Sequence, residues 1–246
     1  MRQTHQRGIA IGPILWVVAI LAGLAAAIAA ASGSFNGDIS AVKAKAQATA
    51  ILGYVNELQI GVDRVMSRCP DTQISLANSV DSGYAENPLA PADKSCHVFD
   101  VNGGGILFKE PPPDVDLSGV PPELRYYFIH TGNEIAGLGN TATGTNTGRD
   151  LIIMLSGITR ELCFKINDMV GITLEGGDAP VGWNPISYKV KDYWTNTWNG
   201  YHLRCGAGGG PNYGKRTCCL KVGNRDDDPL IPPIGAYVFI HALHVR

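Results

Sequence analysis

Residues 9–31 read IAIGPILWVVAILAGLAAAIAAA, an apolar run without a charged side chain. At ~1.5 Å rise per residue, a helix of this length crosses a ~30 Å hydrocarbon core with a small tilt. Arg2 and Arg7 precede the run, and no Lys or Arg follows it before Lys43. Because flanking basic residues stay on the cytoplasmic side, the run predicts a single inner-membrane span at 9–31, with the rest of the chain outside the cytoplasm.

Two other interpretations of this run stay open. A cleaved secretory signal has an apolar region of ~7–15 residues before a small-residue site. The run is longer than that, but its end, from Ala29 to Ala31, satisfies a small-residue cleavage rule, and the mature chain would then begin near Ser32. The run could also be a plain single-span anchor.

An amphipathic helix is predicted beyond the apolar run. After a small-residue joint at 32–37, a helical apolar pattern resumes over 38–69, and Pro70 ends it. Apolar residues recur there at spacings of three and four, which places them on one buried face. They are Ala48, Ile51, Val55, Leu58, Val62, Val65 and Cys69.

The leader Gln6-Arg7-Gly8, the apolar run from Ile9 and the amphipathic continuation resemble the N terminus of the type IV pilin superfamily, which includes the type II secretion pseudopilins. The resemblance implies a leader over 1–8 that is cut between Gly8 and Ile9, a helix over 9–69 and a head over 70–246. It also implies partners: homo- or hetero-oligomeric pilin subunits that pack through this helix in an extracellular filament or secretion pseudopilus.

One position departs from the family pattern. The family usually has Glu as the fifth residue of the mature chain, where it pairs with a neighbour's N-terminal amine, and this chain has Pro13 there. That charge pairing is therefore missing, and the resemblance favours a minor or specialised subunit.

The head is predicted to be an α+β fold, stapled by disulfides and rich in loops, with a small antiparallel sheet and one further helix. The chain has 246 residues, including 30 Gly and 15 Pro, which indicate many turns. Removing Arg2 and Arg7 from its 20 basic residues leaves 18 against 22 acidic ones. This balance lacks the basic field that nucleic-acid binding requires.

The six cysteines indicate three disulfides, because bridges persist outside the cytoplasm. Cys69 and Cys96 flank one excursion of the chain and are predicted to pair. Cys163 and Cys205 are predicted to share the adjacent Cys218 and Cys219, in an order that the sequence leaves open. The alternative is a zinc site with His202, Cys205, Cys218 and Cys219, although the usual paired C-x₂-C spacing is absent.

Local patterns place elements in the head. Strands are predicted at 96–101 and 105–109 as a hairpin, at 125–130, at 186–191 and at 236–245, and a polar surface loop at 131–148. A helix is predicted to start at a cap, Asp150, and to stop at Gly171. His241 and His244 lie on opposite faces of the last strand, so they cannot share a metal, and we interpret both as structural.

The search for catalytic motifs finds no G-x-S-x-G, H-E-x-x-H or G-x-G-x-x-G pattern. The segment GGPNYGK at 209–215 resembles a phosphate-binding loop but continues with Arg216 where Ser or Thr should hold magnesium. The run 226–228, three aspartates, lacks the spacing of a calcium loop. We therefore predict a non-enzymatic protein without cofactor or metal. The alternatives are an anchored or secreted binding protein and an enzyme that acts on envelope polymers.

A candidate recognition surface lies at 193–225, where no acidic residue occurs and five basic ones do. Aromatic side chains among cations suit stacking on sugars. A glycan or other surface ligand is therefore a possible partner, and nucleic acid is disfavoured. The candidate binding residues are Trp194, Trp198, Tyr201, Arg204, Tyr213, Lys215 and Arg216.

Overall fold

The computed structural model describes residues 11–78, 86–112, 115, 128–135, 137–139, 150–182, 202–203, 205–206, 210–223 and 234–245. For 11–38, 128–134 and 202–203 it describes the backbone alone. The chain divides into two units, Met1–Lys43 and Ala44–Arg246. The predicted cleavage site, Gly8 and Ile9, lies outside the described residues, as do the predicted strand at 186–191 and the acidic run at 226–228.

The first element is one long helix, α1, Ile11–Met66. Its backbone stays helical through the small-residue joint at 32–37. Gly33 and Gly37 each weaken a helix by ~1 kcal/mol relative to Ala, but neither removes a backbone hydrogen bond as proline would. Side chains of α1 are described from Ile39 onward. Among the residues whose side chains are described, which on α1 begin at Ile39, no helical segment is both long and apolar enough to cross a membrane.

The described strands form one mixed sheet in the order β3-β5-β6-β2-β1-β4. Four strands are antiparallel neighbours: β1 (Phe128–Ile135), β2 (Asp150–Ile158), β5 (Thr217–Val222) and β6 (Tyr237–His244). Two short edge strands, β3 (Val181–Gly182) and β4 (His202–Leu203), pair in parallel with β5 and β1. The α+β class is confirmed, while the predicted antiparallel sheet is mixed at both edges. The strand expected at 236–245 is confirmed as β6.

Both faces of the sheet are buried. Leu151 and Ile153 of β2 and Phe239 of β6 belong to one core with the inner face of α1 and with α2 (Arg160–Val170). Their neighbours along the same strands, including Ile152 and Ile240, belong to a second core on the opposite side. Successive side chains of a strand point to opposite faces, so each central strand serves both cores. The seven residues predicted for the inner face of this helix, six in α1 and Cys69 just after its end, are all buried.

The helix predicted to start at Asp150 is wrong in its first half. Residues 150–158 are strand β2, and α2 begins at Arg160 after the cap Thr159, whose hydroxyl accepts from the Leu162 amide at 3.2 Å. A strand buried on both faces is apolar throughout, so its spacing does not separate it from a helix. The predicted stop is confirmed: Gly171 ends α2 in the left-handed conformation, at φ 70°.

Two other expectations for the head are corrected. The segments 96–101 and 105–109 do not form a hairpin; turns occupy 97–104, where the backbones of Gly103 and Gly104 approach those of His97 and Val98 too closely for a Cβ atom. The loop predicted at 131–148 begins later, because 131–135 belong to β1, where the Ile135 amide donates to the Asp150 carboxylate at 2.8 Å.

Three disulfides join segments of the described chain. Cys69–Cys96 joins the chain just after α1 to the following loop, as predicted. Cys163–Cys219 joins α2 to β5, and Cys205–Cys218 joins β5 to the chain that follows β4. The order left open by the sequence is therefore decided. The zinc alternative is wrong, because its cysteines are oxidised in bridges.

Replacing Leu58 by Ala is expected to lower the free energy of unfolding by about 2–5 kcal/mol, because the side chain is fully buried between α1 and the sheet. Ile60→Ala, two positions along the same helix, is the matched control, since Ile60 is 60% exposed and its loss should cost less than ~0.5 kcal/mol. Thermal and denaturant unfolding of the full chain measure both. Equal losses of unfolding free energy in the two variants would contradict the burial of this face of α1 against the sheet.

Candidate functional site

Gln59 is a polar, partly buried side chain of α1 that contacts residues of the sheet. The Gln59 amide is oriented so that both of its neighbours form hydrogen bonds. Its oxygen accepts hydrogen bonds from the two terminal guanidinium nitrogens of Arg216 at 3.0 and 3.1 Å, and its nitrogen donates to Nε2 of His241 at 3.2 Å. On the other side of the ring, Nδ1 of His241 lies 2.6 Å from the Thr217 hydroxyl. Because Nε2 accepts, Nδ1 carries the ring proton and donates to Thr217.

Arg216 also binds the sheet backbone. Its Nε donates to the Ala242 carbonyl at 2.6 Å, and a terminal nitrogen donates to the Leu243 carbonyl at 3.0 Å. A guanidinium has five N–H donors in a fixed plane, which allows it to serve the helix and the strand at once. The structure therefore uses Arg216, a predicted ligand-binding residue, to hold α1 on β6.

The His241 ring is 5% exposed. Burial, helped by the positive charge of Arg216, lowers the pKa of its imidazole to about 4. Its ordinary pKa is 6.5, so the ring is neutral at physiological pH in the folded chain. The interpretation of His241 as structural agrees with these contacts. The sequence analysis did not predict the role of Gln59, because this residue is a single polar position among apolar neighbours.

The structure describes the segment 210–216 of the predicted recognition surface, which contains Tyr213, Lys215 and Arg216. The Cys205–Cys218 bridge closes it, and the buried Asn212 side chain pins it by accepting from the Thr173 amide at 2.8 Å and donating to the Thr173 carbonyl at 2.7 Å. Tyr213 is 43% exposed, and Lys215 is exposed two residues later. These two side chains face solvent on a braced turn. The other candidates, Trp194, Trp198, Tyr201 and Arg204, lie outside the described residues.

A surface network that the sequence did not predict joins α2 to the sheet. The Asp178 carboxylate accepts from Lys221 Nζ at 2.8 Å and from the Tyr237 hydroxyl at 2.9 Å, with Arg160 Nε at 3.5 Å. The hydrogen bond from Lys221 holds the pKa of Asp178 well below its usual range. These side chains are partly exposed, so the network fixes geometry more than it adds stability.

The described residues contain no group of three or more His, Cys, Asp or Glu side chains arranged to hold a metal ion. No family model, no curated protein and no solved structure matches the chain.

The stability of the protein is expected to depend on pH through His241. Between about pH 6.5 and pH 4 the unfolded chain binds a proton at this ring that the folded chain does not. The free energy of unfolding is therefore highest above pH 6.5 and falls as the pH drops toward 4, by on the order of 3 kcal/mol from this group. Replacing His241 by Gln should flatten the decline measured by denaturant titration across this range. An unchanged slope in His241→Gln would contradict the buried neutral ring.

Proposed function

We propose that the protein is a pilin-like structural subunit of a type IV pilus-type filament or secretion pseudopilus. The observation that carries this proposal is the continuous helix α1, Ile11–Met66, whose second half covers one face of a disulfide-bridged sheet. A helix of this kind can serve two purposes, since one end completes the core of its own head and the other is available to neighbours. In this proposal the chain spans the inner membrane once, with its head outside the cytoplasm.

The exposed apolar residues of α1 support an assembly role. Ile39 is 56% exposed and Val42 is 68% exposed, one helical turn apart. Burial of such side chains against an identical helix would contribute ~25 cal/mol per Å² of apolar surface removed from water. The N-terminal helix of one subunit packing against its copies is the arrangement that would cover them.

Pro13 supports a minor or specialised subunit. Its backbone is part of helix α1, Ile11–Met66. The helix therefore tolerates proline at this place, but the carboxylate that pairs with a neighbour's amine in most pilins is absent. Assembly would then depend on apolar contacts.

A binding role of the head is a second proposal. Tyr213 and Lys215 form an exposed aromatic and cationic pair on the braced turn, which suits contact with a glycan or another surface ligand. Mutations that test this surface should leave Arg216 unchanged. Removing Arg216 would weaken the packing of α1 on β6, and the resulting loss of stability could be mistaken for a loss of ligand binding.

Coexpression with a prepilin leader peptidase is expected to trim the chain after Gly8, so that the mature protein begins at Ile9. Intact-mass spectrometry of the membrane fraction measures the new N terminus. Gly8→Val is the control, because a branched side chain should block a cut that requires glycine. A mature chain that begins near Ser32 would instead establish an ordinary signal peptide and contradict the proposal.

Replacing Val42 by Asp is expected to prevent assembly while leaving the fold intact. An exposed site tolerates a carboxylate in the isolated chain, but burying that charge in a helix–helix contact is costly. Filament formation is measured by sedimentation and electron microscopy, and folding by the melting temperature. Asn56→Asp, at an exposed position of the same helix, is the charge-matched control. Normal filaments from Val42→Asp would exclude this face from assembly.

A further inference from the structure

The adjacent cysteines of β5 present a choice of partners. Cys219 belongs to the core that includes α2 and is bonded to Cys163, whereas Cys218 belongs to the second core and is bonded to Cys205. If β5 moved along its length by one residue, Cys218 would take the place of Cys219 beside α2. The native pairing therefore needs non-covalent contacts that hold β5 in one alignment.

Asn167 of α2 holds the backbone of β5 at Cys219. Its side-chain oxygen accepts from the Cys219 amide at 2.7 Å, and its side-chain nitrogen donates to the Cys219 carbonyl at 2.8 Å. Both residues are fully buried. An amide side chain that accepts and donates in this way takes the place of a neighbouring strand. Cys163 lies four residues earlier on the same face of α2, so this face contacts both the backbone and the sulfur of Cys219.

The contact with Asn167 fixes the place of the strand but not the identity of the residue there, because every non-proline residue has the same backbone donor and acceptor. Lys221 supplies the identity. It lies two residues after Cys219 on the same side of β5, and its Nζ donates to the Asp178 carboxylate at 2.8 Å. A displacement by one residue would break this ion pair and turn the ammonium group toward the second core.

We propose that Asn167 and the Asp178–Lys221 pair align β5 on α2 in the reduced chain, and that this alignment selects Cys219 as the partner of Cys163. The bridge forms when a small-molecule disulfide such as oxidised glutathione accepts two electrons from the two thiols. Its own sulfur–sulfur bond breaks, the two thiol protons pass to the two glutathione molecules released, and the two cysteine sulfurs become bonded. This inference does not depend on filament assembly.

The test uses the full chain with Cys205→Ser, so that Cys218 and Cys219 compete for Cys163. The reduced chain is unfolded in urea and refolded in detergent micelles with oxidised and reduced glutathione. The cysteine left outside a bridge is then identified by tandem mass spectrometry, as its iodoacetamide or glutathione adduct. This cysteine is expected to be Cys218. The proposal is overturned if it is mainly Cys219, or mainly Cys163 because the adjacent cysteines have paired with each other.

Asn167→Ala and Asp178→Ala, added to this chain, test the two contacts. Together they are expected to raise the ratio of unbridged Cys219 to unbridged Cys218 about tenfold, because the net contribution of two hydrogen bonds changes a population by about that factor. Asn87→Ala is the matched control. Asn87 is also buried, and its amide group bonds to backbone groups of the loop after α1, so its loss should lower stability without changing the ratio.

The melting temperature shows which variants fold. An unchanged ratio in the folded double variant, or an equal rise in Asn87→Ala, would overturn the proposal. If Asn167→Ala does not fold, Asp178→Ala alone decides the question, because the Asp178 side chain is partly exposed and its removal leaves the core filled. The ratio should then rise about threefold, as the loss of one partly exposed ion pair allows. An unchanged ratio in this variant would again overturn the proposal.

Discussion

The burial of the inner face of α1 against β2 and β6 is the contact on which the described fold depends. Ile51, Leu58 and Val62 are fully buried in the same core as Leu155 and Phe239. At ~1.5–3 kcal/mol for each large apolar side chain taken out of water, this interface is comparable with the whole stability of an ordinary domain. Gln59 adds selectivity, since its bonds to Arg216 and His241 form in only one register of the helix.

The loop that follows α1, residues 96–104, is attached to this same helix. Arg64 donates to the Gly104 carbonyl at 2.8 Å, and Arg68 donates to the Gly103 carbonyl at 2.7 Å. The extended segment beyond this loop follows α1 as well, where the Lys109 amide donates to the Tyr54 hydroxyl at 3.2 Å. Burial raises the pKa of Tyr54 to about 12, so this hydroxyl stays protonated. The position of this loop is therefore set by the helix that we propose for assembly.

The parts of the fold that could be predicted are those with long regular patterns. The inner face of α1 repeats over six turns, and Gly171 is a stop signal with a simple backbone reason, so both were found. Strand β2 differs from the helix that the pattern predicts, because Leu151, Leu155 and Ile158 have helical spacing while the strand is apolar on both faces. The candidate site was harder to predict, since Gln59 is a single polar residue whose partners are distant in the sequence. Pairs such as Gln59 with His241, 182 residues apart, leave no local signal.

The adjacent cysteines of β5 have a consequence for oxidative folding. Cys218 faces the second core and pairs with Cys205, whereas Cys219 faces α2 and pairs with Cys163. Which partner each sulfur meets is thus decided by the direction in which the strand presents it. A displacement of β5 by one residue would reverse both directions, and the crossed pairing would then become covalent. Correct alignment of this strand must therefore precede disulfide formation, and an isomerase that breaks and re-forms disulfides would be needed to undo a crossed pairing.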